Sequence, residues 1–124
     1  MTADTSPVPA DHCLLYRLIR PDWVAPDGNR PKSQAFSDHP ADGALSMFLS
    51  DEMEAAGKTV ADLAKLWPGY RVCGITVGQV RALGQQVVRD PIEEFPGHAA
   101  VRDLTGRRSG GTRAKLAKAV KWCE

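Results

Sequence analysis

Arg17 is the residue in this chain whose surroundings most demand a chemical explanation. It stands inside "CLLYRLI", residues 13–19, where every other position is apolar or aromatic. An enclosed guanidinium needs an anionic partner or a set of carbonyls. Two kinds of chemistry satisfy it: an internal ion pair with one of the chain's own acids, or a forked grip on the phosphate or carboxylate of a ligand. Three further polar residues sit close to apolar stretches: Ser33 in "KSQAF", Ser46 in "LSMF" and His98 in "PGHAA". Ser46 lacks the G-x-S-x-G setting of a nucleophile elbow, so the ordinary reading is a small residue in a tight layer. His98 follows a Pro-Gly turn, where a histidine either caps the turn through a hydrogen bond or acts as a base. Glu93 and Glu94 lie in the proline-bounded "DPIEEFPGH" and read first as solvated surface.

Other chemistries find little support. Cys13, Cys73 and Cys123 are odd in number, widely spaced and without a C-x-x-C pair, so a disulfide framework is not expected. Neither they nor His12, His39 and His98 show a metal-ligand spacing, and no metal is expected. The net charge of +1 hides an asymmetry. Residues 1–100 hold nine Lys/Arg against thirteen Asp/Glu, whereas residues 101–124 hold seven against two. Arg107, Arg108, Arg113, Lys115 and Lys118 are therefore candidates for nucleic-acid contact, provided they share one face. The competing reading docks this basic segment on the acidic body.

The elements that must position these residues follow from pattern. Residues 1–11 carry two prolines and no periodicity and read as a loose arm, leaving a single domain over 12–124. Cys13–Ile19 reads as a strand, with Leu15, Arg17 and Ile19 on one face and Leu14, Tyr16 and Leu18 on the other. Lys32–Phe36 is expected to be extended and Leu45–Leu49 to be a second strand, followed by a turn or short helix at Ser50 and the acids after it. Thr59 and Asp62 cap a helix over "VADLAKLW", which must stop at Pro68-Gly69. Val72–Val77 is a third strand, running into the capping box Thr76-x-x-Gln79 and a two-turn helix that buries Val77, Val80 and Leu83. "QQVVRDP" and "HAAVRDL" are short strands. A Gly-Ser hinge is expected over 106–111, then a helix over 112–122 capped by Thr112 and packing through Leu116, Ala117 and Val120. The expected class is α+β, with a mixed or antiparallel sheet of four to five strands and about three helices.

The segments "LYRLIRPDW", "SQAF", "LSMF", "GITVGQV" and "DPIEEFPGHAAV" resemble a set of small uncharacterised bacterial proteins, often linked to phages or mobile elements. In these a Tyr-Arg strand, a Ser-Gln-Ala-Phe segment and a Pro-x-His-Ala turn recur in this order. The resemblance covers most of residues 14–101. It implies one compact domain in which Arg17, Ser33, Gln34, Phe36, Ser46 and His98 belong together. A looser analogy is with ADP-ribosyltransferase-like folds, where Arg17, Ser33 or Ser46, and Glu93 or Glu94 would serve as phosphate clamp, ribose contact and stabiliser of an oxocarbenium-like centre. The analogy lacks the Ser-Thr-Ser segment of those folds.

The expected function is a binding module of an accessory or conflict-type system, recognising a protein partner or a small anionic ligand without a cofactor. The alternatives are a compact NAD-using transferase and a nucleic-acid binder acting through the C-terminal helix. An enzyme needs Arg17, a hydroxyl and an acid in one pocket, whereas a partner-binding module needs an exposed apolar patch around Trp23 or Trp67. With no apolar run long enough to span a bilayer and no secretory pattern at the N-terminus, a cytoplasmic protein is expected.

Overall fold

The structure, a computed structural model, describes residues 9–37, 43–93 and 96–123 of the 124-residue chain. Among the described residues six strands form one antiparallel sheet in the order β4-β5-β2-β1-β3-β6. They are β1 (Leu14–Ile19), β2 (Leu45–Leu49), β3 (Arg71–Thr76), β4 (Gln85–Arg89), β5 (His98–Asp103) and β6 (Lys121–Trp122). Four α-helices accompany them among the described residues: α1 (Ser50–Ala55), α2 (Val60–Ala64), α3 (Val77–Ala82) and α4 (Gly110–Ala119). The class is the α+β arrangement expected, but among the described residues it has six strands and four α-helices where four to five strands and about three helices were expected. Among the described residues no helix is long and apolar enough to cross a membrane.

Alternation along the strands divides the core into two layers. Leu15, Ile19, Leu45, Met47, Leu49, Cys73, Ile75 and Val101 point to one face, where Val77 and Val80 of α3 and Leu116 and Ala117 of α4 cover them. Each such large side chain contributes about 1.5–3 kcal/mol when taken fully out of water. The opposite face carries a smaller cluster, Phe48 and Val72 beneath Met53 of α1 and Leu63 of α2, with Tyr16 and Leu18 at its margin. Among the described residues that second layer covers the sheet incompletely, with Leu14 and Val88 left exposed.

The helix starts are written locally. Thr59 accepts from the Asp62 backbone N–H while the Asp62 carboxylate accepts from Thr59, and Thr76 and Gln79 do the same for α3. α2 ends at Ala64, earlier than the pattern suggested. β5 enters the sheet through Gly97, where a Cβ would stand 3.0 Å from the Leu49 carbonyl oxygen and 3.2 Å from carbons of Glu52 and Met53. Only glycine fits there without displacing the β2–α1 junction.

Three expectations need correction. Ser33–Phe36 is a 3-10 turn, not an extended piece. The carbonyls at its end are gripped by two arginines: Arg17 Nε donates to Ala35 and Arg108 Nη1 to Phe36. Tertiary partners thus satisfy what a short turn leaves open. The last two residues of the expected hinge are helical, because α4 begins at Gly110 with Ser109, not Thr112, accepting from the Thr112 N–H as N-cap. α4 then stops at Ala119, and the chain continues as β6, paired to β3 at Cys73↔Trp122. Trp122 Nε1 donates to the Gly28 carbonyl and its ring lies 3.7 Å from the Arg71 guanidinium carbon, which pulls the C-terminal segment out of the helix. Of the expected arm, residues 1–8 lie outside the described residues. Pro9 is buried, and Asp11 pairs with Arg81 at 2.6 Å.

Candidate functional site: a cleft where the central strands part

The ladder between β1 and β2 registers only at Leu15↔Leu49 and Tyr16↔Phe48, although both strands run on. On its other edge β1 is paired with β3 along its whole length, from Leu14↔Thr76 to Ile19↔Arg71. The two central strands therefore part beyond Tyr16, and a cleft of about 790 Å³ opens at their Ile19 and Leu45 ends. Both alternation classes line it: Arg17 and Leu45 from one face, and Leu18, Ser46, Phe48 and His98 from the other. A cavity on one face of a continuous sheet would show only one class.

Arg17 is the residue that this parting accommodates. Its Nε donates to the Ala35 carbonyl at 2.9 Å, and its Nη1 reaches across the gap to the Ser46 carbonyl at 2.8 Å, an acceptor without a ladder partner on β1. The guanidinium carbon lies 5.8 Å from the Trp23 ring centroid and 5.9 Å from that of Phe36. Both acceptors are neutral. No carboxylate pairs with Arg17 among the described residues, so the internal ion pair is absent from them. Desolvation by burial, assisted by the neighbouring Arg108 and opposed by Cys73, pushes its pKa down to about 10. It remains a cation at neutral pH. A guanidinium has five N–H groups, and two are engaged here.

His98 is held as a turn cap and also faces the cleft. Its Nδ1 lies 2.8 Å from the Asp90 carbonyl oxygen and 3.4 Å from the Asp90 carboxylate, and its ring meets Phe48 edge-on with centroids 5.5 Å apart. A carbonyl only accepts, so Nδ1 carries the hydrogen, and in the neutral ring Nε2 keeps a lone pair. Arg20, at the rim, is matched by Asp22 through two contacts of 3.1 Å.

Of the ligand-binding candidates, Arg17, Gln34, Ser46 and His98 line the cleft, whereas Ser33 is exposed and does not. Glu93 is exposed on its loop outside the cleft, and Glu94 lies outside the described residues. Arg17 and a hydroxyl thus converge, but no carboxylate is among the described lining residues. Nor do the described residues contain a group of three or more His, Cys, Asp or Glu able to hold a metal ion.

Sequence reasoning missed Tyr70, which stacks on Trp67 with ring centroids 6.0 Å apart and 27° between planes. The available signal was "WPGY". Proline at the second position and Gly69 at φ 89° at the third build a turn in which the Tyr70 N–H donates to the Trp67 carbonyl, bringing both rings to one side. Trp67 itself is 49% exposed at the rim.

The five basic candidates do not share an exposed face. Arg108 is only 1% exposed and donates to the Gln85 side chain and the Phe36 and Val101 carbonyls. Arg113 is partly buried and donates to the Arg108 carbonyl, while Arg107, Lys115 and Lys118 are exposed. Compared with models of known families, with curated proteins and with solved structures, the chain gives no match.

Proposed function

We propose that this protein is a binding module that takes a small anionic ligand in the cleft between β1 and β2, with Arg17 as the charged anchor. The observation that carries the reading is a partly buried guanidinium at the cleft with neutral carbonyls as its only described hydrogen-bond partners. Such a charge is costly to bury and gains most from an anion arriving from outside. The two carbonyls fix the guanidinium plane before binding, which lowers the ordering cost of recognition. Trp23, Phe48, Trp67 and Tyr70 supply an apolar enclosure in which a charge-assisted hydrogen bond is stronger than in water.

Titration with 2-naphthalenesulfonate, followed through quenching of tryptophan fluorescence, tests this reading. Hydrogen bonds to a charged group contribute about 1.5–3 kcal/mol, so Arg17→Gln should weaken binding by about tenfold or more. Equal affinity in the parent protein and the variant would remove Arg17 as the anchor.

A further inference from the structure

We infer that the ligand of this cleft is a singly charged aromatic carboxylate bearing a hydrogen-bond donor on its ring system. This rests on the cleft being an anion site and goes further by naming the class of anion. The first step is charge. Of the two described arginines at the cleft, Arg20 is matched by the Asp22 carboxylate, and only Arg17 has neutral partners. The one unmatched positive charge among the described lining residues neutralises a monoanion. A dianionic phosphate would carry a surplus charge into a space walled by Leu18, Phe48, Trp67 and Ile92.

The second step is the donor set. Phosphate sites bring several backbone N–H groups together at a helix N-terminus or a glycine-rich loop. The described lining holds no glycine, and none of it comes from the first turn of an α-helix. What Arg17 offers is its remaining N–H groups in one plane, which suits the planar carboxylate.

The third step is the body of the ligand. Four aromatic side chains, Trp23, Phe48, Trp67 and Tyr70, border the cleft, and a flat ring system meets them at little conformational cost. His98 also lines the cleft, and because its Nδ1 hydrogen is engaged by the Asp90 carbonyl the neutral ring keeps Nε2 as an acceptor. An acceptor selects a donor, here a ring hydroxyl. β1, β2 and β5 are neighbours in the sheet and β1 parts from β2 at Arg17, so the backbones of Arg17 and His98 stand at least roughly 10 Å apart, a span that a fused two-ring acid can bridge between the two side chains.

Four matched probes at about pH 7.5, where a phosphate monoester is largely dianionic, test the inference: 6-hydroxy-2-naphthoate, 2-naphthoate, 2-naphthyl phosphate and 2-naphthol. The expected order of affinity is the hydroxy acid, then the plain acid, then the phosphate, with the neutral naphthol weakest. The hydroxyl advantage should be about fivefold and should vanish in His98→Phe, which keeps a ring against Phe48. A phosphate that binds more tightly than 2-naphthoate overturns the monoanion assignment while leaving the anion site standing. A hydroxyl advantage that survives in His98→Phe overturns the role of His98. Naphthol binding as tightly as the acids, or failure of every probe to bind, overturns both this inference and the reading beneath it.

Discussion

Arg108→Met is the substitution that separates a structural basic segment from a nucleic-acid-binding one. In the structure the Arg108 side chain is almost wholly buried and donates to Gln85 Oε1 at 2.9 Å, to the Phe36 carbonyl at 3.3 Å and to the Val101 carbonyl at 2.9 Å. Methionine fills much of the volume but donates nothing, so three buried acceptors each lose a hydrogen bond. Each loss costs about 1–3 kcal/mol, most where the acceptor is left without another donor. Removing a buried charge returns part of its desolvation penalty, which places the net loss near the lower bound, about 3–4 kcal/mol. That is a large share of the roughly 5–15 kcal/mol holding a domain together. For a chain of this length it corresponds to a fall in Tm of about 10–15 °C. Urea denaturation followed by circular dichroism measures it directly. Replacing the exposed Lys115 or Lys118 by Gln should change stability by less than about 0.5 kcal/mol. If Arg108→Met melts like the parent and instead loses affinity for duplex DNA, the guanidinium is available to phosphates and the structural account of the basic segment is wrong.

Two further outcomes are expected. Gly111→Ala should stabilise the protein by about 0.4–1 kcal/mol, because Gly111 lies in the first turn of α4 without a positive φ and an added Cβ would come no closer than 3.9 Å to a neighbour, Ser109 Oγ; a loss of stability in urea would show that the segment must stay flexible. Burial pushes the Cys73 thiol from 9.0 up to about 12, so between those values the unfolded chain gives up a proton that the folded one keeps, and this contribution to stability is complete below pH 9 and lost as pH rises toward 12. Arg17, lowered by burial from the usual guanidinium range to about 10, works in the opposite direction over the upper part of that range. Cys73→Ala should therefore flatten the fall in urea midpoint between pH 8 and pH 10, and unchanged slopes would refute the buried-thiol account.

Much of the architecture was legible because its causes are local. Thr59 with Asp62 and Thr76 with Gln79 carry their helix starts in four residues, and Pro68-Gly69 carries its turn. The alternation through Leu14–Ile19 assigned side chains to faces correctly, and Leu116, Ala117 and Val120 are buried as their spacing implied. That Arg17 needed partners was likewise forced by its apolar neighbours.

Which partners it took was decided only in three dimensions. No local pattern announces that β1 and β2 part after Tyr16↔Phe48, yet that parting exposes the Ser46 carbonyl, admits the guanidinium and opens the cleft. Ser33–Phe36 became a 3-10 turn because Arg17 and Arg108, one from each side of it in the chain, hold its last carbonyls. Arg108 looked identical to Arg107 in sequence, but one is buried and the other exposed, since only Arg108 meets Gln85, Phe36 and Val101. Trp122 ended as a strand residue for the same kind of reason, with Gly28 and Arg71 waiting 94 and 51 positions earlier. Hydrogen-bond caps and hydrophobic periodicity act over three to seven residues and can be read from the chain. The cost of burying a charge is settled by whichever groups the tertiary fold brings to it, and these lie far away in sequence.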